Sequence, residues 1–184
     1  MPSVPFAQLP PDARVWVFAS DRALTGNDAQ TLLSQVDGFL DQWKAHGAPL
    51  RCAREWRDDR FLAIGVDPTV EQASGCSIDG LFRGLRNLED ALDTRLVAGG
   101  RVFYRGGDDT PQLAERKDVP MLAERGTITG ETSVFDTSVT SARDWRERFE
   151  QRARDSWVAS LLRSPQASQD ASRSATKASS VRKG

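Results

Sequence analysis

Leu32, Leu33, Val36, Phe39, Leu40 and Trp43 recur at spacings of three and four, and Ile78, Leu81, Phe82, Leu85, Leu88 and Leu92 do the same. These two stretches constrain the fold more than any other feature. A period near 3.6 gathers the apolar side chains on one helical face, and that face must be covered. The cover is at hand in short runs of β-branched and aromatic residues. "RVWVFAS" (14–20), "LRCAREWR" (50–57), "RFLAIGV" (60–66) and "RVFYR" (101–105) read as strands. Asp58-Asp59 lies between the middle two and predicts a hairpin. The resulting order is β-α-β-β-α-β, the split order of ferredoxin-like sandwiches, and the expected class is α+β.

Local punctuation supports both helices. Thr25 is the expected N-cap of the first, with Asp28 three residues on. That helix is expected to run to about His46, with Gly47 just past its end. Ser77 is the expected cap of the second. Residues 1–13 are Pro-rich and read as an irregular segment. A single domain is expected over 14–163, with a core at 14–106 and a C-terminal α/β extension at 107–163. In the extension, "VPMLAERGTITGETSVF" predicts a short helix stopped by Gly126, then a strand near Thr132–Phe135. "SARDWRERFEQRARDSWVASLL" predicts a final helix, with Trp145, Phe149, Ala153, Trp157 and Leu161 at i,i+4. Residues 164–184 are Ser/Ala-rich with almost no large apolar groups, so a disordered tail is expected.

Composition narrows the function classes. The chain has 184 residues and a formal net charge of −1, so no overall field favours nucleic acid or a membrane surface. Arg173, Lys177, Arg182 and Lys183 against Asp170 make the tail basic, leaving an acidic body. Two cysteines are too few for a secreted disulfide scaffold. With no signal peptide and no apolar run of membrane-spanning length, a cytoplasmic location is expected. No motif calls for a cofactor.

Several stretches together resemble a family of uncharacterised bacterial proteins often catalogued as "ABC transporter ATPase". They are "RVWVFASDRALT", "FLDQWKAHGAPL", "RFLAIGVD", "ASGCSID", "GTITGETSVFD" and "DSW", and they cover roughly residues 8–160. The resemblance implies no catalytic residue. Family members carry a proline between the two last tryptophans and a histidine after Ser-Trp, and "WRERFEQRARDSWVASLL" has neither. The ATPase label also fails on chemistry. A P-loop needs G-x-x-x-x-G-K-[ST], to set backbone amides and a lysine on the phosphates. The nearest string, Gly126 to Thr132, is one residue short between its glycines and has Glu131 where lysine is required.

Candidate site residues follow from topology. In the β-α-β-β-α-β order, His46, Cys52, Asp67, Cys76 and Asp79 all fall at one end of the sheet, with Ser77 beside them. Cys76 near a helix N-terminus feels the dipole that favours thiolate, or else packs as a small hydrophobe. His46, the only histidine, is a general base or a helix-end residue bonding the last carbonyls. Cys52, Asp67, Ser77 and Asp79 are candidate ligand contacts. A zinc set of His46, Cys52, Cys76 and an aspartate lacks the paired spacing of such sites, and no metal is expected.

Three functions remain open. The first is a cytoplasmic, non-hydrolytic binding or accessory domain with a pocket near His46 and Cys76. The second is a thiol-dependent enzyme with Cys76 as nucleophile and His46 as base. The third is an interaction protein that acts through the C-terminal helix and basic tail.

Overall fold

The computed structural model describes residues 4–96 and 100–163. The expected disordered tail lies outside them. The fold is α+β with antiparallel sheets. The chain divides into two compact units rather than a core followed by an extension. One comprises Met1–Gly99 and Asp136–Glu150, the other Gly100–Phe135 and Gln151–Gly184.

The first unit holds the split β-α-β unit. Strand β1 (Arg14–Ala19) leads to helix α1 (Gly26–Asp41), then a small hairpin of β2 (Lys44–Ala45) and β3 (Ala48–Pro49). Strands β4 (Cys52–Arg57) and β5 (Phe61–Val66) follow, then helix α2 (Gly75–Leu92). The main sheet has the order β1-β5-β4, with β5 antiparallel to both neighbours. Asp58 and Asp59 turn the β4–β5 hairpin at φ of 53° and 51°, a left-handed conformation that aspartate tolerates better than most residues.

All six residues of β5 are buried, because both faces of the sheet are covered. On one face, Leu62, Ile64 and Val66 join Phe18, Cys52 and the stripes of α1 and α2 in one core. On the other, Phe61 packs edge-on against Phe149 with ring centroids 5.0 Å apart. On that face Gly65 lies under Leu9 and Phe6, where a Cβ would collide with Leu9. Residues 4–13 are therefore not merely irregular. A 3-10 turn at Phe6–Gln8 buries Phe6, and Leu9 and Ala13 are buried beside it.

The fourth strand of a ferredoxin-like sheet would extend the edge of β1. Here that edge is met by loops instead. Val15 N–H donates to Thr140 O at 2.9 Å and Ala19 N–H to Leu96 O at 3.1 Å. The expected strand forms as β6 (Arg101–Arg105), but it belongs to the second unit.

That unit is a four-stranded sheet of order β7-β6-β8-β9. It contains β7 (Pro111–Glu115), α3 (Val119–Glu124), β8 (Ser133–Phe135) and β9 (Glu150–Arg152), while α4 (Ala142–Glu147) belongs to the first unit. The short helix before Gly126 and the strand ending at Phe135 match expectation. The long final helix does not. It stops at Glu147, and the chain continues as β9 and two 3-10 turns, Ala153–Asp155 and Trp157–Ser160.

Candidate functional site

The end of α1 differs from expectation. The helix stops at Asp41, and His46 with Gly47 forms the turn of the β2–β3 hairpin at φ of 51° and 85°. Two successive left-handed residues are what a two-residue hairpin turn demands. His46 is therefore an exposed turn residue and not a helix cap.

The topology does bring the expected segments together. The Trp43 indole N–H donates to Ser77 O at 3.0 Å, tying the exit of α1 to the first turn of α2. The Cys52 thiol points at Leu40 O, 3.6 Å away, and Asp67 N–H donates to Arg51 O at 2.9 Å. The functional groups do not assemble with the backbones. Cys52 is fully buried. Cys76 is exposed on α2, Asp79 is exposed three residues later, and no hydrogen bond among the described residues joins Cys76 to His46. Ser77 is not the cap of α2. Ser74 is, accepting from Ser77 N–H at 3.3 Å, while the Ser77 hydroxyl donates to Ser74 O at 2.8 Å. Among the described residues, no group of three or more His, Cys, Asp or Glu could hold a metal ion.

Asp67 has a structural task. Its Oδ1 accepts from Thr69 N–H at 2.9 Å and from the Thr69 hydroxyl at 2.7 Å, and Oδ2 accepts from Arg51 at 3.1 Å. The Thr69 hydroxyl, then the Thr69 N–H and the Arg51 charge, hold its carboxyl below the ordinary range despite burial. The same Asp-x-Thr/Ser turn recurs at Asp108–Thr110 and Asp136–Ser138. It is a loop device of this chain and not a mark of one site. Glu131, in the position a P-loop lysine would take, pairs with Arg152 at 2.9 Å and with Arg154.

A groove lies elsewhere in the first unit, between α1 and α2, with a volume of about 620 Å³. Buried Val36, Leu81 and Leu85 form its floor, and half-buried Phe39 and Leu88 its sides. The polar groups at its exposed rim are Thr31, Gln35, Gln42 and Asn87. No charged side chain lines it, although 28% of the chain is charged. Gly38 and Gly84 open onto it, and a Cβ at either would meet nothing within 4 Å. Glycine inside a helix costs about 1 kcal/mol relative to alanine, so both keep space open at the expense of helix stability. A periodicity reading counts apolar positions and passes over residues that leave a gap. Gly38, in the last turn of α1, and Gly84, within α2, were the available signal. In comparisons with known proteins, the chain matches no family model, no curated protein and no solved structure.

Proposed function

We propose that this chain is a cytoplasmic, non-hydrolytic binding domain that takes an uncharged, largely apolar small molecule in the α1–α2 groove. One observation carries the reading: the groove has an apolar floor and an amide-bearing rim, with no charge along it. Desolvating a charged ligand there would go uncompensated, whereas apolar surface gains on burial. Gln35, Gln42 and Asn87 supply donors and acceptors that can orient a polar uncharged end. The pocket is thus proposed along the helices, and neither His46 nor Cys76 lines it.

The thiol-enzyme reading finds less support, since it requires Cys76 and His46 to be hydrogen-bonded. An interaction role through a long C-terminal helix loses its element, because that segment folds as α4, β9 and 3-10 turns. No helix among the described residues is long and apolar enough to cross a membrane.

Nile red, an uncharged apolar fluorophore, tests the reading. Wild-type protein is expected to bind it saturably with enhanced emission. Gly84→Phe, which fills the groove without a clash at Cβ, is expected to abolish that signal while melting no lower than wild type. Equal binding by the folded variant, or none by wild type, overturns the proposal.

A further inference from the structure

Two ties bracket the α1–α2 groove. At one end the Trp43 indole N–H donates to Ser77 O at 3.0 Å. At the other, the Arg22 guanidinium donates to Asp28 Oδ2 at 2.7 Å and to Leu92 O at 2.5 Å. The lining residues run from Thr31 to Gln42 on α1 and from Leu81 to Ala91 on α2, just inside these ties. The helices are thus held together beyond both ends of the gap, and the fold itself sets the width and length of the trough. At a rise of 1.5 Å per residue, Thr31 to Gln42 spans about 16 Å.

The trough also has a direction. The helices run antiparallel, with Trp43 meeting Ser77, the Phe39 ring lying over Gly80, and Arg22 joining Asp28 to Leu92. In that register Asn87 stands opposite the stretch between Thr31 and Gln35. Three of the four polar rim groups therefore gather toward the Arg22 tie. Toward the Trp43 tie, Phe39 packs against Trp43 with ring centroids 5.5 Å apart, and Gln42 is the one polar lining group. Between the two ends the surface is aliphatic: Val36, Leu81, Leu85 and Leu88. We infer, resting on the proposed role of the groove as a ligand site, that its occupant is an unbranched aliphatic chain with an uncharged hydrogen-bonding head. The chain lies parallel to the helices, its head at Thr31, Gln35 and Asn87 and its tail toward Phe39. A chain laid lengthwise meets the aliphatic surface along its whole extent, whereas a compact molecule of equal carbon count covers only part of it. The Arg22 charge beyond the head end is already paired with Asp28, so a carboxylate head would find no unanswered cation. A hydroxyl or carboxamide head is served by the amides alone.

Displacement of Nile red from the full chain by straight-chain primary alcohols, from 1-hexanol to 1-tetradecanol, tests this. Affinity is expected to rise about two- to fourfold per methylene. It should level off near the dodecyl chain, since each C–C bond of an extended chain advances about 1.3 Å and the ties close the trough. 1-Adamantanol has the carbon count of 1-decanol in a compact shape and should displace about tenfold less well. Decanoate should also fall about tenfold short of 1-decanol, because its charge goes unanswered. Asn87→Leu should weaken 1-decanol about fivefold, and Gln42→Leu, at the tail end, by less. Both positions are exposed, and thermal melting checks that the variants fold. If Nile red itself does not bind wild type, the groove is not a ligand site and this inference falls with that reading. If Nile red binds but affinity does not rise along the series, or 1-adamantanol or decanoate displaces it as well as 1-decanol, the reading stands and the inference is overturned. Equal or reversed losses in the two variants overturn it as well.

Discussion

Helix α2 and the segment 141–162 present the same apolar spacing and fold differently. Both have a serine cap: Ser74 accepts from Ser77 N–H, and Ser141 accepts from Asp144 N–H at 3.0 Å. Residues Gly75–Leu92 stay helical, while α4 ends at Glu147. The difference lies in competitors for the backbone. The first turn of α2 receives the Trp43 indole, and its stripe drops onto the sheet. Beyond α4, Phe149 O instead accepts from Asp136 N–H at 2.7 Å, Ala153 N–H donates to Thr132 O at 2.8 Å, and Arg154 N–H to Gly130 O at 3.0 Å. Long-range partners take the groups that a helix would have used. The i,i+4 pair survives only in part: the Trp145 and Phe149 rings lie 4.0 Å apart and are both buried. Apolar periodicity reports which side chains are covered, and the backbone that covers them depends on what lies opposite.

The strongest test of this comparison is truncation. Trp145→Ala should cost about 3–5 kcal/mol in urea unfolding, against about 2–5 kcal/mol for Leu85→Ala in α2. Were 141–162 a solvated surface helix, Trp145→Ala would fall within about 0.5 kcal/mol of wild type. A smaller effect concerns the aspartate turn that precedes each helix. Asp67→Asn should cost about 1–3 kcal/mol near neutral pH, because the Thr69 hydroxyl and N–H and Arg51 lose a buried, ionised acceptor. Asp136→Asn, at a half-buried turn, should cost less. The Asp67 carboxyl is held low, so its stabilisation is complete above the unfolded value near ~3.9 and is lost as pH falls through the folded value. The gap between wild type and Asp67→Asn should therefore narrow in unfolding curves taken below that pH. The smallest effects are the caps. Ser74→Ala and Ser141→Ala should each cost about 1 kcal/mol in thermal or denaturant melts, and Thr25→Ala less, since its side chain makes no cap hydrogen bond.

The elements of the first unit were legible because their patterns are local. β1, α1, the β4–β5 hairpin and α2 all follow from runs and stripes within a few turns of chain. The β2–β3 hairpin was not, because His-Gly is a weaker turn signal than Asn-Gly and its strands are two residues each. Strand β7 was hidden by Pro111, Gln112 and Glu115, residues that an edge strand accepts and a central strand does not. The pairing of β6 could not be read, since the choice of sheet is a long-range contact. At the site, the sequence located the shared end of α1 and α2 through chain direction. It could not say that Cys52 and Asp67 are used up in packing and turn formation, or that the open space lies along the helices.

The composition of the first unit has a consequence for the order in which the protein can be built. Phe149 reaches the back of β5 from a stretch that lies beyond the whole segment Gly100–Phe135. While the chain leaves the ribosome, α1 and α2 can close one side of the sheet early. The side bearing Phe61 has only Phe6 and Leu9 from the start of the chain to cover it until some fifty further residues have been translated. A nascent chain stalled in that interval presents a half-dressed sheet, and a holding chaperone would find its surface there.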